Sequence, residues 1–107
     1  MSVGYHARPV AVHVLTLVID LHIPQAHSLK DKRAVVKTIL EGASHRHHVA
    51  VAETEHQEKW QRAELAFAAV ASSARIVEET IDQVERYIWS FPEAEVLSAT
   101  RSWTETD

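Results

Sequence analysis

An α+β domain of the ferredoxin-like, split βαβ kind is what the chain predicts, and three observations carry it. Four segments alternate their side chains with period two or are rich in β-branched residues. Two others space apolar residues three and four apart, and the six follow the order strand, helix, strand, strand, helix, strand (βαββαβ). Right-handed crossovers then lay both helices on one face of a four-stranded antiparallel sheet, with the third strand between the first and second.

The first strand is expected from Val10 to Ile23. There Leu15, Leu17, Ile19, Leu21 and Ile23 alternate with Val14, Thr16, Val18, Asp20 and His22, giving one apolar face and one mixed face. Pro24 and Gln25 stop it. Ser28 reads as an N-cap, with Asp31 three residues on as a weak capping box. Leu29, Val36, Ile39, Leu40 and Ala43 share one arc of a helical wheel, so a helix is expected from Leu29 to about Ser44, ended by Gly42 and the run SHRHH.

Val49–Thr54 is the second strand, and the polar stretch Glu55–Gln61 a loop. Arg62–Ser72 is rich enough in alanine for a helix. Its place between turn signals, and the alternation of Leu65, Phe67 and Ala69 with Glu64, Ala66 and Ala68, make it the third strand. Ser73 caps a second helix to Ser90, with Val77, Ile81, Val84 and Ile88 as its stripe and Pro92 as its stop. Glu95–Trp103 is the last strand. Residues 10–103 thus form one domain between a flexible N-terminal tail (1–9) and a polar C-terminal tail (104–107).

Composition narrows the chemistry. The chain has 107 residues, a single-domain length, with 46% apolar and 24% charged residues, and no segment reads as a membrane span or a signal peptide. The cytoplasm is the expected location. With no cysteine there is no disulfide, thiolate metal site or thiol nucleophile. Two glycines, Gly4 and Gly42, cannot build a phosphate-binding loop or a G-x-x-G clamp, and the absence of asparagine removes acylphosphatase chemistry. The first strand carries no aromatic residue and Phe67 faces the helices, which argues against base stacking in the manner of an RNA-recognition motif.

The formal charge is −4, without a global nucleic-acid signature, but the charge is unevenly placed. Residues 28–48 hold five Lys/Arg against two acids, whereas residues 49–107 hold five against twelve. Lys30, Lys32 and Arg33 fall in the first turns of the first helix, where an exposed cation is disfavoured by a few tenths to about 1 kcal/mol. Two readings follow. The helix start binds an anion such as a phosphate, through His27, Ser28, Lys30, Lys32, Arg33, Lys37 and Arg62. Or Glu53, Glu55 and Glu58, which the topology brings to the same end of the sheet, neutralise these cations. Lys30, Arg33 and Lys37 share the outer helix face; Lys32 sits at the edge of the apolar arc and should snorkel or meet a carboxylate, foremost Glu53.

Trp60 and Gln61, in the loop at that end, are further possible contacts, although each of the three tryptophans also reads as a partial core residue. His45, His47 and His48 read as a solvated helix exit, not a metal site. No catalytic constellation, metal or cofactor is expected.

The segments HSLKDKRAVV, VAVAE and WQRAELAFAAVASSA, from about Leu15 to Trp103 with the following helix and strand, resemble the YlxP-like family, small bacterial proteins grouped as domain of unknown function 503. Its S-L-K-x-K-R pattern matches Ser28, Leu29, Lys30, Lys32 and Arg33, and its W-Q-R-A matches Trp60, Gln61, Arg62 and Ala63. The resemblance implies a ferredoxin-like fold. Genes of the family often neighbour those for ribosome binding factor A and a translation initiation factor, which implies ribosome-linked work. The N-terminal extension and the histidine-rich helix exit depart from the pattern.

Three functions are therefore expected, in descending order. The first is a non-enzymatic protein that binds RNA or a ribosomal particle through the basic helix start. The second is a homodimer or other assembly through the half-apolar open sheet face. The third is a small-molecule enzyme at His22, His27, Glu53 and Trp60.

Overall fold

The alternating leucines and isoleucines of the first strand form β1 (His13–His22), and their side chains are withdrawn from water. The computed structural model describes residues 11–104. After β1 come α1 (Leu29–His47), β2 (Ala50–Glu55), β3 (Arg62–Ala71), α2 (Ala74–Trp89) and β4 (Glu95–Thr104). The strand order is β2-β3-β1-β4 and every neighbouring pair is antiparallel, so the fold is the ferredoxin-like α+β arrangement. Among the described residues no helix is long and apolar enough to cross a membrane.

Register sorts the side chains. Leu15, Leu17, Ile19 and Leu21 of β1 stand opposite Ala69, Phe67, Leu65 and Ala63 of β3, all buried beneath the helices. Val36, Ile39 and Ala43 of α1, and Val77, Ile81, Val84 and Ile88 of α2, close the core from above. β3 is a strand despite its alanines because Leu65 and Phe67, two apart, reach the same core; a helical turn would send one of them to water.

The open face carries Val14, Thr16 and Val18 of β1, Ala66, Ala68 and Val70 of β3, and Ala50 and Ala52 of β2. A bulge in β4 leaves Leu97 as the extra residue between Val96, opposite Leu21, and Ser98, opposite Asp20.

Several boundaries differ from the expected ones. Ala11 and Val12 are not strand, and Val10 and the predicted tail at 1–9 lie outside the described residues; of the predicted tail at 104–107, Thr104 instead belongs to β4 and pairs with Val14, and the rest lies outside the described residues. The larger correction is α1, which continues past Ser44 through His45, Arg46 and His47. It ends at His48, left-handed at φ 54°, whose N–H donates to the Ser44 carbonyl. Basic residues suit this last turn, where the helix dipole is negative.

Gly42 is not the stop; it is the gap that lets α2 approach. A Cβ there would overlap the Tyr87 hydroxyl and lie 2.6 Å from its Cζ. Tyr87 donates to the Thr38 carbonyl (3.3 Å), stands edge-on to Phe91 and lies under the Arg46 guanidinium, 5.0 Å away. Gly42→Ala should therefore lower stability by about 1 kcal/mol, the overlap outweighing the gain in helix propensity of similar size. In a Tyr87→Leu background the same change should raise stability. Urea denaturation of the four variants checks this, and a stabilising Gly42→Ala in the native background contradicts it.

Candidate functional site

The start of α1 and the β2–β3 loop are tied together by two side chains. Lys32 lies on the inward stripe of α1, one turn before Val36, and its side chain is 0% exposed. Its ammonium donates to Glu53 Oε2 at 2.8 Å and to the carbonyls of His56 (2.8 Å), Gln57 (3.2 Å) and Arg62 (3.3 Å). An ammonium has three protons, so these four acceptors saturate it. Glu53 is available because, opposite Leu65 in register, it points to the helix side of the sheet.

Gln61 supplies the second tie. Its amide donates to the carbonyls of Pro24 (3.1 Å) and Ala26 (3.0 Å), while its own carbonyl accepts from Ile23 N–H.

This geometry corrects part of the expected anion site. Of the two outcomes open to Lys32, the carboxylate pair with Glu53 is the one observed, so its charge is spent inside the chain and is not offered to an outside anion. Arg62 is likewise engaged, donating to Asp20 Oδ2 at 2.7 Å. Gln61 serves as a clamp within the chain. Ser28 caps the helix: its Oγ accepts from Asp31 N–H (3.0 Å), and Asp31 Oδ2 accepts in return from His27 N–H (2.9 Å). Glu53 and His22, grouped with His27 and Trp60 by the topology, sit on opposite faces of the sheet. Glu53 faces the helices, and His22, on the open face, is 2.7 Å from Glu95 Oε1. That separation removes the proposed acid–base cluster.

What remains exposed is simpler. Lys30, Arg33 and Lys37 lie on the outer face of α1, at spacings of three and four. Among the described residues neither Lys30 nor Arg33 forms an ion pair, and Lys37 is 4.0 Å from Glu41, which is exposed too, a pairing worth little. His27 is exposed beside them, and Trp60 is 55% exposed in the adjoining loop. The tryptophans are not core residues: Trp89 is 60% exposed and lines a groove with Asp82, Glu85, Arg86 and Arg101. There Arg101 bridges Asp82 (2.8 Å) and Glu85 (2.9 Å). Burial alone would lower its pKa, but these two carboxylates hold the guanidinium above its ordinary value.

A second group was missed by sequence reading. On the open face Asp20 receives Arg62, and His56 Nε2 stands 3.9 Å from Asp20 Oδ1. The signal was present: alternation places Asp20 and Arg62 on one face of neighbouring strands, and the register makes them diagonal partners that offset the Asp20–Glu64 opposition. His56 reaches them only because its backbone is left-handed (φ 66°) with its carbonyl held by Lys32. Among the described residues no group of three or more His, Asp or Glu side chains is placed to hold a metal.

Comparison with known proteins agrees with the architecture. A family described as "Protein of unknown function (DUF503)" matches residues 14–101. The chain is 40% identical over 81 residues to the uncharacterized protein YlxP of Bacillus subtilis (strain 168), an alignment spanning 76% of this chain and 88% of that protein. Among solved structures it is similar to the de novo designed protein Foldit4, with a TM-score of 0.54 and 15% identity, covering 89% of this chain and 99% of the other. That last likeness is one of fold alone.

Proposed function

The chain belongs to the DUF503 family, and from that premise we propose that it is a non-enzymatic, cytoplasmic binding protein that engages RNA, free or within a ribosomal particle, through the outer face of α1. One observation carries the reading: Lys30 and Arg33 keep their charges free of the described carboxylates, while Lys32, between them, is consumed by the fold. Cations on a rigid helix face, without directed base contacts, suit phosphate neutralisation.

The test is anisotropy titration of a labelled RNA oligonucleotide across a salt series, alongside co-sedimentation with ribosomal subunits. Lys30→Glu/Arg33→Glu should weaken binding at low salt by at least about tenfold and flatten the logarithmic salt slope by roughly one for each phosphate no longer neutralised. Unchanged affinity and slope would refute the assignment. Both positions are exposed, so the melting temperature should stay within a few degrees.

A second reading is favoured by the open sheet face. Val70 is 70% exposed, and Ala50, Ala52, Ala66, Ala68 and Thr16 line a shallow depression of about 170 Å³ beside it. A flat face of small residues matches a second copy of itself without large side chains to rearrange. Light scattering across concentration tests this: a dimer lost on Val70→Asp supports it, and a strict monomer excludes it.

A further inference from the structure

Trp60 is held at the surface by bonds on both sides of it. Before it, the turn His56–Lys59 is closed by Lys59 N–H on the His56 carbonyl (3.0 Å), and Lys32 draws in the carbonyls of His56 and Gln57. After it, Gln61 is fastened to Ile23, Pro24 and Ala26. The loop backbone is thus pinned to the start of α1, yet the indole is 55% exposed and is not among the side chains packed on the core cluster. A large ring on a pinned backbone needs little ordering when it meets a ligand.

The chain around Trp60 carries the exposed acids Glu55 and Glu58 as well as exposed cations. Lys59 precedes it in sequence and is exposed. Lys30 and Arg33 flank, in α1, the very lysine that grips its loop. Among the described residues none of the three forms an ion pair with a carboxylate, and Glu58 is the single acid of the turn. An exposed aromatic face beside unpaired cations is the pairing that single-stranded nucleic-acid sites use: bases stack on the ring and phosphates meet the charges. Within a duplex the base faces are covered by its own stack, and only its two ends have a face to offer an indole.

We infer that this end of the molecule takes single-stranded rather than double-stranded RNA, one base stacking on Trp60 while neighbouring phosphates lie on Lys30, Arg33 and Lys59. The inference rests on the RNA reading above and specifies its ligand.

The experiment uses the full chain with Trp89→Phe and Trp103→Phe, leaving Trp60 as the lone indole of the three tryptophans. Its fluorescence is titrated with a ten-nucleotide single-stranded RNA and with the blunt duplex of the same sequence. The single strand should quench Trp60 and bind at least tenfold more tightly than the duplex. In the native background Trp60→Ala should weaken single-strand binding about tenfold with the salt slope unchanged, and Trp60→Phe should recover much of the loss. Equal binding of both RNAs, with Trp60→Ala silent while Lys30→Glu/Arg33→Glu abolishes binding, overturns the stacking site and leaves the RNA reading standing. Absence of salt-dependent binding to either RNA overturns both.

Discussion

Lys32→Met should lower stability by about 3–5 kcal/mol, because it strands the Glu53 carboxylate and takes a donor from three backbone carbonyls at once. For a domain of this size that corresponds to a fall in melting temperature on the order of 15 °C or more. A simple buried ion pair can often be exchanged for apolar residues at little cost. Here the exchange should fail: Lys32→Met/Glu53→Leu removes both charges but leaves the Gln57 and Arg62 carbonyls without their ammonium donor and the His56 carbonyl with only the Lys59 N–H. We expect the double variant to remain roughly 2 kcal/mol below the native protein. Glu53→Gln, which keeps the ammonium and its carbonyls, should cost less than Lys32→Met. Chemical denaturation of the three variants decides the matter; a double variant as stable as the native chain would mean that the carbonyls find water freely and that Lys32 is only a counter-ion.

Phe67→Ala is expected to cost about 3–5 kcal/mol, whereas Trp60→Ala should change stability by no more than about 0.5 kcal/mol. Phe67 is the largest apolar side chain of the core, opposite both Leu17 and Val51, so its removal leaves a cavity shared by three strands. Trp60, larger still, is half out of water and joins no such cluster. The contrast assigns different work to two aromatics that composition cannot tell apart. Thermal melts of both variants check it, and a Trp60→Ala loss as large as that of Phe67→Ala would make Trp60 a structural residue and remove the basis for a binding role.

Much of this was legible beforehand. The period-two runs of β1 and β3, and the stripe Val77–Ile81–Val84–Ile88, depend on local spacing alone, and the elements stand where that spacing puts them. The wheel angle of Lys32 left it two outcomes, snorkelling or a carboxylate partner, and the second is the one observed. The end of α1 was misplaced because Gly42 reads as a stop in isolation; its role as a recess for Tyr87 exists only once α2 packs alongside. The Asp20–Arg62 pairing was readable from the shared face of β1 and β3, but the arrival of His56 and the clamp made by Gln61 were out of reach, since each joins segments more than thirty residues apart.

By itself, the amino-acid order determined the fold class, the core faces and the crowding of cations at the start of α1, because alternation, helical spacing and charge are properties of neighbouring residues. Only the tertiary structure decided which of those cations remain on offer. Helical spacing already turns Lys32 away from Lys30 and Arg33, but whether it snorkels to water or is buried depends on the Glu53 carboxylate and the His56, Gln57 and Arg62 carbonyls, which only folding brings to it.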